Sequence, residues 1–307
     1  MAVHSGPLVS SSTARLSIVS IDRLTVRHGA MALSLPPKRA IVGAALLISA
    51  APSVAQSLPV ASTAPAILRD LATDRPDTTE SPFTINAGHV QIETTLFGYA
   101  RAPRDAAGQR EERFEIGTTN VRLGVADRLE VNLVLRPYGL TVPGGGARRT
   151  EGIGVIDLRA KYNLWGDDGG ATAFAVLPYL SIPTDRSNGL SPPDVEYGVL
   201  LPLSIELGGR LGLGLNAGVA VRQPDVGARY RVSVPLTASL AVAWSDRIGG
   251  YYEVASEVAG GKNPAVSLNT GFTWLASESL QFDTGIGFGV AGRADRISPF
   301  FGVSARF

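Results

Sequence analysis

From Gly88 to the C-terminus the chain is written in short segments in which apolar side chains alternate with small or polar ones. In Leu280–Val290, Leu280, Phe282, Thr284, Ile286, Phe288 and Val290 share one parity, and Gln281, Asp283, Gly285, Gly287 and Gly289 share the other. Leu211–Val221 repeats this, with leucine, alanine and valine against glycine, asparagine and alanine, and Val266–Trp274 does so again. A helix would spread such residues around its circumference, whereas a two-residue period makes a strand with two unlike faces. The pattern predicts about twelve strands: 89–100, 112–125, 128–139, 153–165, 171–183, 194–207, 210–222, 229–243, 247–259, 264–275, 279–291 and 296–307. Parity slips within 112–125, between Phe114-x-Ile116 and Val121-x-Leu123-x-Val125, which predicts a bulge or a boundary there.

Connections alternate in length. Short ones fall near Asp127-Arg128, Asp167–Gly170, Gly208-Gly209, Ser245–Arg247 and Ser277–Ser279; longer ones near Arg101–Glu111, Thr141–Glu151 and Thr184–Pro193. Tight turns on one rim and longer loops on the other are the arrangement of an outer-membrane barrel. The fold class expected is therefore all-β, an antiparallel up-and-down transmembrane β-barrel with both chain ends on the periplasmic side.

A water-soluble barrel would point its apolar face inward, and a membrane barrel inverts this. Here the face opposite the apolar one is rich in Gly, Ser, Asn and Thr and carries charges in strand interiors: Glu93, Glu130, Arg136, Asp157, Arg159, Lys161, Glu196, Arg231, Glu253, Glu257 and Asp283. These are the expected lumen-lining residues, an acid and base network around a wet interior that would set selectivity. Tyr138, Trp165, Trp244, Tyr252, Trp274 and Phe307 lie near strand ends, where interfacial girdles form. The last strand is apolar at alternate positions through Phe301, Val303, Ala305 and Phe307. It resembles the C-terminal signal read by the barrel assembly machinery.

Composition agrees with a membrane barrel. Charged residues are 18%, against about 25% in soluble proteins. The long apolar stretch, Ala40–Ala51, is well short of the roughly 20 residues of a membrane helix. Cysteine is absent and glycine numbers 35, so stability must come from main-chain pairing and not from disulfides. Glycine is common where strands bend or an interior must stay open.

Lys38-Arg39, the apolar Ala40–Ala51 and the small-x-small Ser53-Val54-Ala55 have the order of a signal peptide cleaved after Ala55. Starting at Met31 gives a signal of ordinary length, 31–55, which leaves 1–30 as an upstream extension outside the natural protein. Removing residues 1–55 takes away five basic side chains and one acidic one, leaving 23 basic and 26 acidic, a net of −3. That balance does not point to nucleic acid. Residues 56–87 read as a periplasmic leader, followed by the barrel at 88–307. Within the leader, DRPDTTE (Asp74–Glu80) is read in two ways. It is a solvated polar leader, or a plug whose Asp74, Arg75, Asp77 and Glu80 enter the periplasmic mouth, pair with lumen arginines and narrow the pore.

At Thr73–Phe83 the chain reads TDRPDTTESPF, leading into GHVQIETTLFGYA. LRAKYNLWGDDGG (Leu158–Gly170) and AFAVLPYLSIPT (Ala173–Thr184) follow. These segments and the terminal strand resemble the "putative MetA-pathway of phenol degradation" family, over about Thr73 to Phe307. The resemblance implies an outer-membrane barrel with a transport role. The phenol in the family description does not by itself assign an aromatic cargo.

Catalytic chemistry has little to work with. His89 is the sole histidine after residue 55, at the predicted periplasmic rim. Without a second histidine or a cysteine, neither a Ser–His lipid-modifying site nor a His-based metal site is expected. Glu253 and Glu257 read as lumen charge satisfied by Arg159, Lys161 or Arg231. Gly144–Gly146 reads as a loop and Asp167–Gly170 as a turn.

The function expected is passive uptake of small solutes, hydrophobic or aromatic ones included, with no enzyme activity and no cofactor. The alternative is a non-transporting structural or surface-binding barrel. Expected partners are outer-membrane lipid and lipopolysaccharide, the barrel assembly machinery and a small-molecule solute; the expected location is the cell outer membrane. N-terminal sequencing of the mature protein is expected to begin at Gln56, and a mature chain beginning elsewhere contradicts this processing.

Overall fold

The computed structural model describes residues 68–186, 190–223, 228–260 and 263–307. The expected upstream extension, the signal peptide and the leader through residue 67 lie outside the described residues.

Among the described residues fifteen strands follow one another: β1 (Val90–Arg101), β2 (Glu112–Ile116), β3 (Thr118–Ala126), β4 (Leu129–Leu135), β5 (Tyr138–Val142), β6 (Thr150–Gly152), β7 (Ile156–Trp165), β8 (Thr172–Ile182), β9 (Glu196–Gly208), β10 (Leu211–Arg222), β11 (Arg231–Ala243), β12 (Ile248–Ala259), β13 (Ala265–Ser277), β14 (Leu280–Ala291) and β15 (Ser298–Arg306). Every pairing is antiparallel, in the order β15 back to β7, then β4, β3 and β1. β1 also pairs with β15, closing the ring. β2, β5 and β6 continue the sheet at the outer end, beside the upper half of β1.

Three pairs of these strands are single staves interrupted by a bend: β2 with β3, β4 with β5, and β6 with β7. The barrel therefore has twelve staves. The parity slip expected within 112–125 is the first bend, at Gly117, whose φ of 73° suits a residue without a Cβ. Arg136-Pro137 makes the second, where proline removes a ladder donor. Residues 153–155 make the third. Next to them β1 carries a bulge between Thr95 and Phe97, which turns both Leu96 and Phe97 outward.

Burial is inside-out relative to a soluble domain. Arg122, Lys161 and Glu130 are 0% exposed, whereas Leu268 is 46% and Val290 55% exposed. Among the described residues no helix is long and apolar enough to cross a membrane; crossing falls to strands, whose main-chain groups are satisfied by neighbours around the ring. Aromatics gather at the two ends of the apolar band. Trp165 stacks on Phe174 at 4.9 Å and Trp274 on Phe282 at 5.6 Å near the short-turn rim. Tyr138, Tyr197 and Tyr230 stand exposed toward the other rim. Phe301, Val303 and Ala305 share the outward parity of β15, and Phe307 exchanges main-chain hydrogen bonds with Val90 across the closing seam.

Leu236, outward-facing near mid-height of β11 and 42% exposed, is a direct probe of this sidedness. Leu236→Arg is expected to destabilise the barrel in lipid by about 2–4 kcal/mol, measured by denaturant unfolding in liposomes. A neutral outcome contradicts a lipid-facing surface.

Candidate functional site

The lower half of the lumen is filled by the chain itself. The segment ahead of β1 enters at the short-turn rim, rises into the barrel and returns to the same rim. One carboxylate in the β7–β8 turn fixes both legs. Arg69 Nη1 meets Asp167 at 2.9 Å, and the Thr84 amide donates to Asp167 Oδ1 at 2.9 Å. Burial raises the Asp167 carboxyl above its ordinary value, against the hydrogen bonds from Thr84 and the charge of Arg69. Arg69 also reaches Asp168 at 3.1 Å and the Asp127 carbonyl at 2.8 Å.

Above this staple the loop is held by charge. Arg122 on β3 is the centre: it meets Glu130 and Glu93 at 2.8 Å each and Asp74 of the loop at 3.4 Å. Its remaining N–H groups donate to the loop carbonyls of Ala72 at 2.9 Å and Phe83 at 3.1 Å. Lys161 on β7 pairs with Asp74 at 2.6 Å and with Glu130 at 3.3 Å. Two residues further along the same face, Arg159 pairs with Glu80 at 2.7 Å and Asp157 at 3.4 Å. Arg75 crosses to the opposite wall, where Asp283 accepts from Nη2 at 2.7 Å and Nε at 3.2 Å. Its guanidinium lies 5.4 Å from the centre of the Phe300 ring. Room for it comes from Gly302, where a Cβ would sit 2.1 Å from Arg75 Nη2. Glu253 takes the tip of the loop, accepting from the Thr78 amide at 3.1 Å and the Thr79 hydroxyl at 2.6 Å, with Asn269 also donating at 2.6 Å. The cations this deep are tolerable because each meets a carboxylate, and Glu253, which meets no cation among the described residues, is held by three hydrogen-bond donors.

Of the residues expected in the lumen, Glu93, Glu130, Asp157, Arg159, Lys161, Glu253 and Asp283 come together around the loop. Of the four loop residues, Asp74, Arg75 and Glu80 pair with the wall, and Asp77 faces the Glu253 carboxylate. In the lower lumen the loop meets these charges directly. The expected partners of Glu253 and Glu257 are corrected. Glu253 is satisfied by Thr78, Thr79 and Asn269. Glu257 is satisfied by Arg222 at 2.8 Å and the Ser233 hydroxyl at 2.6 Å. Arg231 stands exposed at the outer end of β11, two residues beyond Ser233.

Arg122, Arg222, Arg69 and Asp167 were not singled out from sequence. The parity slip of 112–125 hid Arg122, although its place opposite Val121, Leu123 and Val125 was a usable signal. Arg222 ends its strand, and Arg69 and Asp167 belong to segments without periodicity.

Toward the longer loops lie two adjoining cavities of about 510 and 580 Å³. They share Thr78 of the loop tip and Arg136, Ser267, Asp295 and Ser298 of the walls. The larger is lined by two arginine clusters, Arg159 with Glu80 and Asp157, and Arg222 with Glu196 and Glu257. His89 sits half-buried at the start of β1, its ring beside the Ala87 carbonyl.

The model of the family described as "Putative MetA-pathway of phenol degradation" matches residues 73–307. The chain belongs to that family. The match begins within the loop and ends on Phe307, so the loop tip is family sequence as much as the barrel is. No curated protein matches in sequence. Among solved structures, the COG4313 outer membrane channel from Pseudomonas putida F1 is 14% identical, with a TM-score of 0.55 over 77% of this chain and 100% of that one. The NanC porin is 11% identical, with a TM-score of 0.46 over 70% and 98%. The CymD monoaromatic hydrocarbon channel is 9% identical, with a TM-score of 0.40 over 73% and 89%. The first of these shares the fold.

Replacing Arg122 by methionine would leave Glu130 and Asp74 sharing Lys161, and Glu93 without its cation. Arg122→Met is expected to cost about 3–5 kcal/mol, as removal of one member of a buried ion cluster does, read from denaturant unfolding in detergent. Arg210→Met, at an exposed pair with Asp246, is expected to cost under about 1 kcal/mol.

Proposed function

We propose that this protein is an outer-membrane channel for passive uptake of small solutes, gated from the periplasmic side by the loop through residues 69–86. The observation that carries this reading is the charged interior, open as a vestibule above a loop whose two legs are both fastened at one rim and whose body is held to the walls by side-chain contacts. A solute enters the vestibule from the long-loop side, where Arg136, Glu196 and Glu257 act on its charge. It passes when the loop withdraws toward the periplasm. No cofactor or nucleotide is needed, because the solute moves down its own gradient. The charged lumen residues set selectivity, and the reading includes no enzyme activity.

Location in the outer membrane is supported by the apolar outer band between aromatic belts. Export after cleavage behind Ala55, insertion by the assembly machinery through the Phe301–Phe307 signal, and contact of the long-loop side with lipopolysaccharide complete the proposal. The vestibule lining is mixed, with Tyr99, Phe114, Tyr138, Tyr251 and Phe300 beside charged and hydroxyl side chains in the smaller cavity, so it does not by itself single out a hydrophobic or an aromatic cargo.

The filled lower lumen favours a second reading, a barrel that binds at its outer face and transports nothing. Planar-bilayer conductance separates the two. The intact protein is expected to give rare, brief ion steps, and deletion of residues 70–83 to give steps at least several times more frequent or larger. Equal conductance of the two proteins rejects the loop as a gate. Absence of steps from both establishes the second reading.

A further inference from the structure

The loop satisfies its wall partners imperfectly. Glu80 holds Arg159 at 2.7 Å through one carboxylate oxygen, while its other oxygen, Oε2, and Arg159 Nε are both buried with no hydrogen-bond partner. A guanidinium can take a carboxylate through two parallel N–H groups, which is the stronger geometry, and Glu80 does not adopt it here. Asp74 is held on Lys161 through Oδ1 at 2.6 Å, while Oδ2 makes no hydrogen bond and has only the longer ion pair with Arg122 at 3.4 Å. Arg159 and Lys161 are two residues apart on one face of β7, hence about 6.6 Å along the strand. Two carboxylates of one loop thus occupy two cations spaced like the ends of a short dicarboxylate.

The Arg159 end of this place is reachable from the vestibule, and the Lys161 end, which lines neither cavity, lies beneath it. Glu80 and Arg159 line the larger cavity, and Arg136 lines both cavities at the bend of the neighbouring stave, just beyond β4. Strand register sets the descent: Asn132, four residues below Arg136, lies level with Arg159, and Glu130 lies level with Lys161. Arg136, with no ion pair among the described residues, stands at the top of a line of cations that leads down to the loop carboxylates.

We propose that the loop is a tethered competitor, with Asp74 and Glu80 standing in for the carboxylates of the solute, and that a short-chain dicarboxylate entering past Arg136 displaces them from Lys161 and Arg159. This rests on the channel reading for its purpose, and its binding step is measurable without transport. A dicarboxylate free of the loop backbone can use both Arg159 Nε and Nη1, so it offers this site what Glu80 cannot. Displacing both loop carboxylates removes two of the anchors on one wall and favours withdrawal toward the rim, where Asp167 retains both legs.

The chain has no cysteine, so Ser81→Cys gives one reporter on the loop, at a residue that lines neither cavity. The probe is succinate, added to this variant in detergent, with maleimide labelling rate as the readout. Succinate is expected to raise the rate saturably by about tenfold or more, the scale of a charge-assisted hydrogen bond gained. 1,4-Butanediol, 1,4-diaminobutane and chloride at matched ionic strength are expected to leave it unchanged. In the same background Arg136→Gln is expected to raise the succinate concentration needed by several-fold. Labelling indifferent to succinate, or accelerated equally by the diamine or chloride, overturns the proposal. Conductance of the same preparation reports on the channel reading separately. Ion steps without a succinate effect leave the channel and remove this site. A succinate effect without ion steps keeps the site and removes the channel.

Discussion

The structure depends on where water is excluded. On the outside, acyl chains leave main-chain N–H and C=O groups no partner but the adjacent strand, so the sheet must close, and the β1–β15 seam does this through hydrogen bonds that run to Phe307 itself. On the inside, exclusion comes from the loop, which leaves Arg122, Lys161 and Glu130 fully buried. Lipid sets the geometry of the wall and the loop sets the chemistry of the lumen. The two are linked by strand parity, because each outward leucine or valine fixes the inward direction of its neighbours.

From that parity follows an interior with charge arranged by stave. The cations Arg122, Arg159 and Lys161 are on the contiguous β3, β4 and β7 side, where Asp74 and Glu80 meet them. Asp283 and Glu253 are across the lumen, where Arg75 and the loop tip meet them. The loop is therefore complementary to both walls at once. Its affinity for the lumen is a sum of ion pairs made where water is scarce, and each is strong only while its partner remains in place. Such a contact is firm at rest and loses much of its hold when an external anion takes over one partner. The staple at Asp167 keeps a withdrawn loop near the mouth it left.

The barrel was legible in the sequence because lipid facing imposes a two-residue period that runs through nearly every stave. Leu280–Val290 and Leu211–Val221 show their observed faces directly. The bend at Gly117 was legible only as a loss of parity, since a turned stave changes which residues face inward without changing its composition. The loop was legible as a charged motif but not as a structure. DRPDTTE has no period, and its partners lie as far away as Asp283, so only the closed barrel brings them together. The glycines point to the same limit. Their abundance suggested an open interior, yet at Gly302 the missing side chain makes space for Arg75. A small residue on an inward face makes room, and the sequence does not say for what.

The central claim is that the apolar parity of each stave faces lipid and the polar parity faces an occupied lumen. Spin labels placed one at a time along Leu280–Val290, in protein reconstituted into bilayers, test it most directly through collision with oxygen and with a water-soluble nickel chelate. The account predicts high oxygen collision at 282, 284, 286, 288 and 290. It predicts low collision with both reagents at 281 and 283, beside the loop. The reverse alternation, or chelate access at the even positions, would contradict it.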